Sequence, residues 1–244
     1  MVTAEDFLLG GRVRLEQPGS AYRAAIDPVL LAAFTDARPG ERVLDVGAGT
    51  GAASLCLAAR VEGVRVVGLE QRPDAASFAR RNIALNGLGD RVSLVEGDLL
   101  EPPAELLPDS FDRVMMNPPY LRAGAALAPP DDWKAAANME GAARLPDWVG
   151  FARTMLKPRG TLTLVHRADR LDEILATLHG PFGSVTLFPL WPKAGEAARR
   201  ILLSARRGGR APATLSAGLV LHEADGRYTD AAERVLRGGA FLPP

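Results

Sequence analysis

The sequence predicts an α/β protein built on a doubly wound, mostly parallel seven-stranded sheet that ends in an antiparallel C-terminal hairpin. Three observations carry that prediction. From residue 42 onward, short apolar runs alternate with segments of helical periodicity, the pattern of strand–helix–strand crossovers covered on both faces. The first run feeds straight into glycines and then a helix. The last two runs are joined by only Trp191–Arg200, too short for a helical crossover and long enough for a hairpin.

In chain order, Gly11–Pro39 precedes the core. Val13-Arg-Leu-Glu-Gln17 alternates as a strand does, and Pro18-Gly-Ser20 reads as a turn. Asp27–Ala37 reads as a helix with Asp27 as its cap and Pro28 at its first position. The seven strands are Arg42–Val46, Val64–Leu69, Val92–Glu96, Phe111–Met116, Gly160–His166, Val185–Leu190 and Ile201–Arg206, with helices such as Ala52–Arg60, Pro73–Asn86 and Leu171–Leu178 between them. Residues 121–147, rich in Ala, Gly, Pro and Asp, read as a long loop with one short helix, and loops of that length are commonly functional. With no repeat and no interdomain linker, the expectation is one domain over 1–244. A hairpin and helix (1–40) cover the site, a core spans 40–210, and 211–244 extends it.

Composition bounds the function. The 244 residues are 47% hydrophobic, enough for a sizeable core, yet no run approaches the roughly 20 apolar residues of a membrane span. Met1 to Gly11 carries Glu5 and Asp6 and does not read as a secretion signal. Cys56 is the only cysteine, which excludes an intramolecular disulfide and a cysteine-cluster metal site. The expectation is a cytoplasmic protein with no membrane partner and no metal. Lys plus Arg and Asp plus Glu both number 29, and that balance weighs mildly against a dedicated nucleic-acid binder.

The first chemical signal is Val43-Leu-Asp-Val-Gly47-Ala-Gly49-Thr-Gly51, where glycines let backbone approach a ligand closely. A G-x-G stretch alone is weak. The dinucleotide fingerprint wants G-x-G-x-x-G and a phosphate-cradling loop wants Lys followed by Ser or Thr; neither is present. Glu70 closes the next strand and is placed to accept ribose hydroxyls, while Glu96-Gly-Asp98-Leu99 closes the third. Each acid alone reads as a solvated carboxylate. Three at successive strand ends mark the edge where open α/β sheets bind ligands.

These motifs resemble the class I S-adenosylmethionine-dependent methyltransferases over residues 40–206, which implies a Rossmann-like methyltransferase fold. The resemblance implies that Asp45, Gly47, Ala48, Gly49 and Gly51 pack about the cofactor. It also implies that Glu70 with Gln71 holds the ribose and that Asp98 with Leu99 frames the adenine.

Phe111–Met116 runs into Asn117-Pro118-Pro119-Tyr120. Two prolines forbid helix and remove two donors, and Pro118 holds Asn117 extended, so a stiff loop projects an amide, carbonyls and a ring. Such groups suit a planar amino nitrogen: the Asn117 oxygen and the Pro118 carbonyl each accept one N–H, and Tyr120 stacks on the flat acceptor. Alone, the four residues also read as an ordinary turn. The box resembles that of the amino-methylating branch, which covers adenine N6, cytosine N4, guanine N2 and protein glutamine N5. An intact box stands against a non-catalytic cofactor-binding partner protein.

Outside the core, Gly10–Pro18, Tyr22–Leu31, His166-Arg-Ala-Asp-Arg170 and Pro192-Lys-Ala-Gly-Glu196 resemble the bacterial tRNA1(Val) adenine-N6 methyltransferases. That resemblance implies tRNA as partner, with an rRNA base or a protein glutamine as the alternatives. The chain departs from the family pattern at Ile26-Asp27-Pro28, where Thr-Asp-Gly is usual. By resemblance Asp27 lies near the cofactor's methionine end, and its other role is the helix cap. Arg199, Arg200, Arg206, Arg207 and Arg210 form an acid-free arginine run suited either to RNA phosphates or to a solvated edge strand. Arg206, Arg207 and Arg210 are the candidates taken from it, with Tyr22 and Arg23 beside the site. His166 reads as a histidine satisfied by local backbone.

Overall fold

A computed structural model describes residues 3–19, 26–120 and 141–243. The chain opens with an antiparallel hairpin, β1 (Thr3–Leu8) and β2 (Val13–Pro18), followed by α1 (Asp27–Phe34). The crossover units follow: β3 (Arg42–Val46), α2 (Ala52–Arg60), β4 (Arg65–Glu70), α3 (Pro73–Leu85), β5 (Val92–Glu96) and β6 (Phe111–Met116). Then come α4 (Leu145–Met155), β7 (Leu156–Arg167), α5 (Leu171–Leu178), β8 (Phe182–Lys193) and β9 (Arg200–Arg207). The seven strands expected from the sequence all form. The sheet is nevertheless nine-stranded, because residues beyond 210 add β10 (Thr214–Leu215) and β11 (Leu219–His222), both parallel to β8, before a final helix α6 (Asp230–Leu236). Runs of two and four residues are too short to show alternation in a sequence.

The order β10-β8-β9-β7-β6-β3-β4-β5 places β3 and β6 side by side, although the chain visits β4 and β5 between them. This is the switch point where ligands settle beyond the strand ends of an open sheet. Only β9 runs against the other described strands of the sheet, as the short Trp191–Arg200 connection implied.

Alternate residues of the central strands feed two apolar layers. Val43, Met115, Val165 and Leu202 face α1, α2 and α6; Leu44, Val114, Met116, Leu164 and Leu203 face α4 and α5. The near-continuous apolar strands of this sequence follow from that double burial. Helix α4 begins inside the stretch expected to be loop. Pro146 opens it, and the Asp147 carboxylate accepts the Arg144 backbone N–H at 2.8 Å. Helix α1 ends at Phe34, three residues short of the expected Ala37. No helix among the described residues is long and apolar enough to cross a membrane.

The hairpin is bound to α3 by two asparagines. Asn82 accepts the Glu16 N–H at 2.7 Å and donates to the carbonyls of Glu16 and Thr50, while Asn86 exchanges bonds with the backbone of Arg14. Thr50 belongs to the glycine loop, so buried Asn82 ties the N-terminal strand to the loop that borders the site.

Candidate active site

The glycine loop leaves β3 at Gly47, whose φ of +71° is a conformation L side chains rarely adopt. A Cβ there would stand 2.6 Å from Cη2 of Trp148, so α4 packs its indole where a side chain would otherwise be. Trp148 was not legible as a site residue, because its partner is a missing side chain. Gly49 also has positive φ, with open space where its Cβ would point. The loop is pinned to β4 by the Gly47 and Ala48 N–H groups, both donating to the Leu69 carbonyl.

Two buried carboxylates lie under and across the loop. Asp45 accepts the Ser54 hydroxyl at 2.6 Å, and burial, with a smaller contribution from the Glu70 charge, pushes it up to about 6. Glu70 accepts the Gly49 N–H at 2.7 Å and the Arg72 N–H at 2.9 Å. Burial raises it above the ordinary carboxylate range, and those two bonds oppose the rise. Gln71 is exposed beside it. Asp98 accepts the Leu100 N–H at 2.9 Å in a local turn, with Leu99 packed partly into the α4–α5 layer. Of the three acids expected at successive strand ends, Glu70 is the last residue of β4, Asp45 is the last but one of β3, and Asp98 lies two residues past β5.

Asn117-Pro118-Pro119-Tyr120 leaves β6, the strand next to β3. The Tyr120 hydroxyl lies 2.5 Å from Asn117 Oδ1 and 2.7 Å from Asp27 Oδ2. Arg200 completes the group: its Nε donates to Asp27 Oδ2 at 3.2 Å, and its guanidinium carbon stands 4.5 Å from the centroid of the Tyr120 ring. A buried carboxylate with a guanidinium and a phenol around it is a satisfied charge.

Three expectations change. Asp27 is not the cap of α1: Ile26 occupies that position, no side chain caps it, and the Asp27 carboxylate turns to Tyr120 and Arg200 instead. Arg206, Arg207 and Arg210 are not on the side of the pocket. Met116 is level with Leu164 and Leu203, whereas Arg206 is level with Thr161 and Arg113, about 10 Å back along the strands. Arg207 is held there by Asp109 and the Leu156 carbonyl. Because β9 is antiparallel, it is the start of the arginine run, Arg199 and Arg200, that reaches the site edge. His166 is fully buried, yet neither ring nitrogen has a hydrogen-bond partner among the described residues, and its ring meets Tyr120 edge-on at 5.6 Å. Burial, then the positive charge of Arg170, pushes it down to about 4. Tyr22 and Arg23 lie outside the described residues, as do residues 121–140 of the long loop.

Residues 23–188 match the family model of the methyltransferase small domain. The chain belongs to that family. Among its curated relatives, the tRNA1(Val) (adenine(37)-N6)-methyltransferase of Porphyromonas gingivalis is 35% identical over 169 residues, 67% of this chain and 66% of the relative, just under two thirds of its length. The enzyme of the same name from Aeromonas hydrophila is 32% identical over 213 residues, 86% of each chain. A crystal structure of a predicted O-methyltransferase from Agrobacterium tumefaciens superimposes with a TM-score of 0.75 at 29% identity, covering 89% of this chain and 99% of that one. The resemblance of its motifs implies S-adenosylmethionine as the cofactor of this methyltransferase family member. The residues present fit it: Glu70 keeps lone pairs free for a ribose diol beside the open space over Gly49, and no lysine lies in the loop to call for a phosphate.

Proposed function

We propose that this methyltransferase methylates the exocyclic amino nitrogen of an RNA base, adenine N6 in tRNA above all. The observation that carries the proposal is the seating of Asn117-Pro118-Pro119-Tyr120 at the end of β6, directly beside the glycine loop of β3. When bound, S-adenosylmethionine supplies a methyl group on a good leaving group. What remains for the protein is orientation, because the lone pair of an aromatic amine is delocalised and poorly nucleophilic. Asn117 and the Pro118 carbonyl would accept the two N–H groups and favour a pyramidal nitrogen, and fixed geometry is worth ~7–11 kcal/mol in favourable cases. Pro118 and Pro119 keep that loop stiff. Glu70, Gly47, Gly49 and Gly51 with Ala48, Asp45, Gln71, Asp98 and Leu99 would hold the cofactor side.

The names of the relatives support tRNA as the acceptor. An adenine in a loop can be splayed from its stack at small cost, which matches a site built around one amino group. Among the described residues, Arg167 and Arg200 pair at the site end of β7 and β9, and Arg199 adjoins them. Mass-spectrometric nucleoside analysis of tRNA and rRNA, from cells with and without the gene, tests the proposal. The expected result is loss of N6-methyladenosine from tRNA alone. Loss of a methylated guanine or adenine from rRNA moves the acceptor, and unchanged RNA with a lost N5-methylglutamine moves it to protein.

A further inference from the structure

The Tyr120 hydroxyl joins Asn117 of its own loop to Asp27, and Arg200 holds Asp27 from a third part of the chain. The hydroxyl has one hydrogen to donate and two oxygens within reach, Asn117 Oδ1 at 2.5 Å and Asp27 Oδ2 at 2.7 Å. An ionised carboxylate offers no hydrogen of its own, and a hydroxyl bond to it is the stronger, charge-assisted kind. The Arg200 Nε–H donates to the same carboxylate oxygen at 3.2 Å, so that oxygen is an acceptor toward Arg200 as well. The hydroxyl hydrogen therefore belongs to Asp27. The group on the other side of the phenol oxygen must then be a donor. The two ends of an asparagine amide have the same shape, so this proton count turns the Asn117 NH2 toward Tyr120.

We propose that Asp27 is a positioning residue that, through the Tyr120 hydroxyl, fixes which end of the Asn117 amide faces the acceptor. The inference rests on the amino-nitrogen reading of the box and deepens it. With NH2 held by Tyr120, the Asn117 carbonyl oxygen is left for the cleft, where it accepts an N–H. The opposite orientation would present NH2, suited to an oxygen acceptor and mismatched to an amine. The Asp27–Tyr120–Asn117 chain is thus a selector between nitrogen and oxygen acceptors, with its polarity set at the buried carboxylate. Arg200 keeps that polarity and, over the ring, holds the phenol in place.

The test uses the full chain with S-adenosylmethionine and bulk tRNA from cells lacking the gene. Tyr120→Phe removes the connecting hydroxyl, and Asp27→Ala removes the oxygen that accepts its hydrogen, which is then free to turn to the Asn117 oxygen and release the amide. Each should lower kcat on the order of 10- to 100-fold while KM for tRNA and S-adenosylhomocysteine affinity stay within about twofold. The double variant should be no slower than the worse single variant, because both act on one amide. An unchanged melting temperature in each separates this from a folding defect. Losses that multiply in the double variant, or a fall expressed only in KM, would overturn the proposal. A readout without turnover completes it: one Asn117 side-chain N–H should exchange slowly with solvent in the wild type and quickly in Tyr120→Phe. If bulk tRNA is not methylated at all, tRNA fails as the acceptor, whereas equal exchange in the two proteins would overturn this proposal whatever the acceptor is.

Discussion

Asp45 makes the buried charge of this site measurable. It is 2% exposed and its ordinary value of 3.8 is pushed up to about 6, chiefly by burial, with the Ser54 bonds pulling against the rise. At pH 3 the carboxyl is protonated in the folded and the unfolded chain alike, and it contributes nothing to pH dependence. As pH rises from 3.8 to about 6, the unfolded chain gives up its proton first, so the folded state loses stability steadily. Above about 6 both are ionised and the cost stays constant, at about 3 kcal/mol from 1.36 kcal/mol per pKa unit. Asp45→Asn keeps an acceptor for the Ser54 hydroxyl but adds two N–H donors, which lowers stability by an amount that does not vary with pH. The informative quantity is therefore the difference between the variants, followed by urea unfolding of the cofactor-free proteins from pH 4 to 7. The variant should gain about 2.5 kcal/mol on the wild type across that range, the rest of the cost having accrued below pH 4, whatever their difference at pH 4. Parallel curves would show that Asp45 carries no strained charge, and burial would then not be what governs its ionisation.

Glu70→Ala should weaken S-adenosylhomocysteine binding by about 1–3 kcal/mol in calorimetry, since two backbone N–H groups lose their acceptor along with the ribose. Because burial raises Glu70, wild-type affinity should begin to fall at a higher pH than an ordinary glutamate would allow as the solution is acidified, and the alanine variant should lack that fall. Asn117→Ala should abolish methyl transfer with cofactor affinity nearly intact; near-full turnover would discard the amino-nitrogen proposal. Replacing Arg206, Arg207 and Arg210 together should leave tRNA affinity and its salt dependence unchanged, given their place at the far edge of the sheet. A log–log salt slope flattened by about 2, the effect of three lost phosphate contacts, would restore them to the footprint.

The order of strands and the glycine loop were legible because both are local: a run of apolar residues, a turn, a helix signal. What the chain hid was register and partner. The arginine run from 199 to 210 reads as one cluster, but antiparallel β9 carries its two ends to opposite edges of the sheet, a fact set by pairing with β7 and not by any residue in the run. Asp27 followed by Pro28 satisfies every local rule for a helix cap, and tertiary partners 93 and 173 residues away outcompeted it. Trp148 and Asn82 left no local mark either. One fills the space of an absent Cβ on Gly47, and the other bonds backbone carbonyls of strand and loop. His166 drew attention as a motif residue, and its burial without a hydrogen-bond partner among the described residues is a tertiary property that no spacing encodes.

The same carboxylates explain why this glycine loop does not serve phosphate. A loop that opens onto the start of a helix ordinarily offers free N–H groups and a positive dipole end, which together attract anions. In this loop the Gly49 N–H is already taken by Glu70, and Asp45 lies beneath the loop on Ser54 of the following helix. Asp27 adds a third buried acid at the start of α1, and of the three only it has an arginine in a direct ion pair among the described residues. An arriving phosphate would meet a carboxylate where it needs a donor. A neutral diol, by contrast, donates to Glu70, and a cationic group relieves the repulsion that helps to hold Asp45 above its usual range, next to a Glu70 that burial raises as well. A nucleoside bearing positive charge satisfies both demands at once. The spacing of glycines that set this loop apart from the phosphate motifs and the chemistry of its acids therefore point away from phosphate on independent grounds.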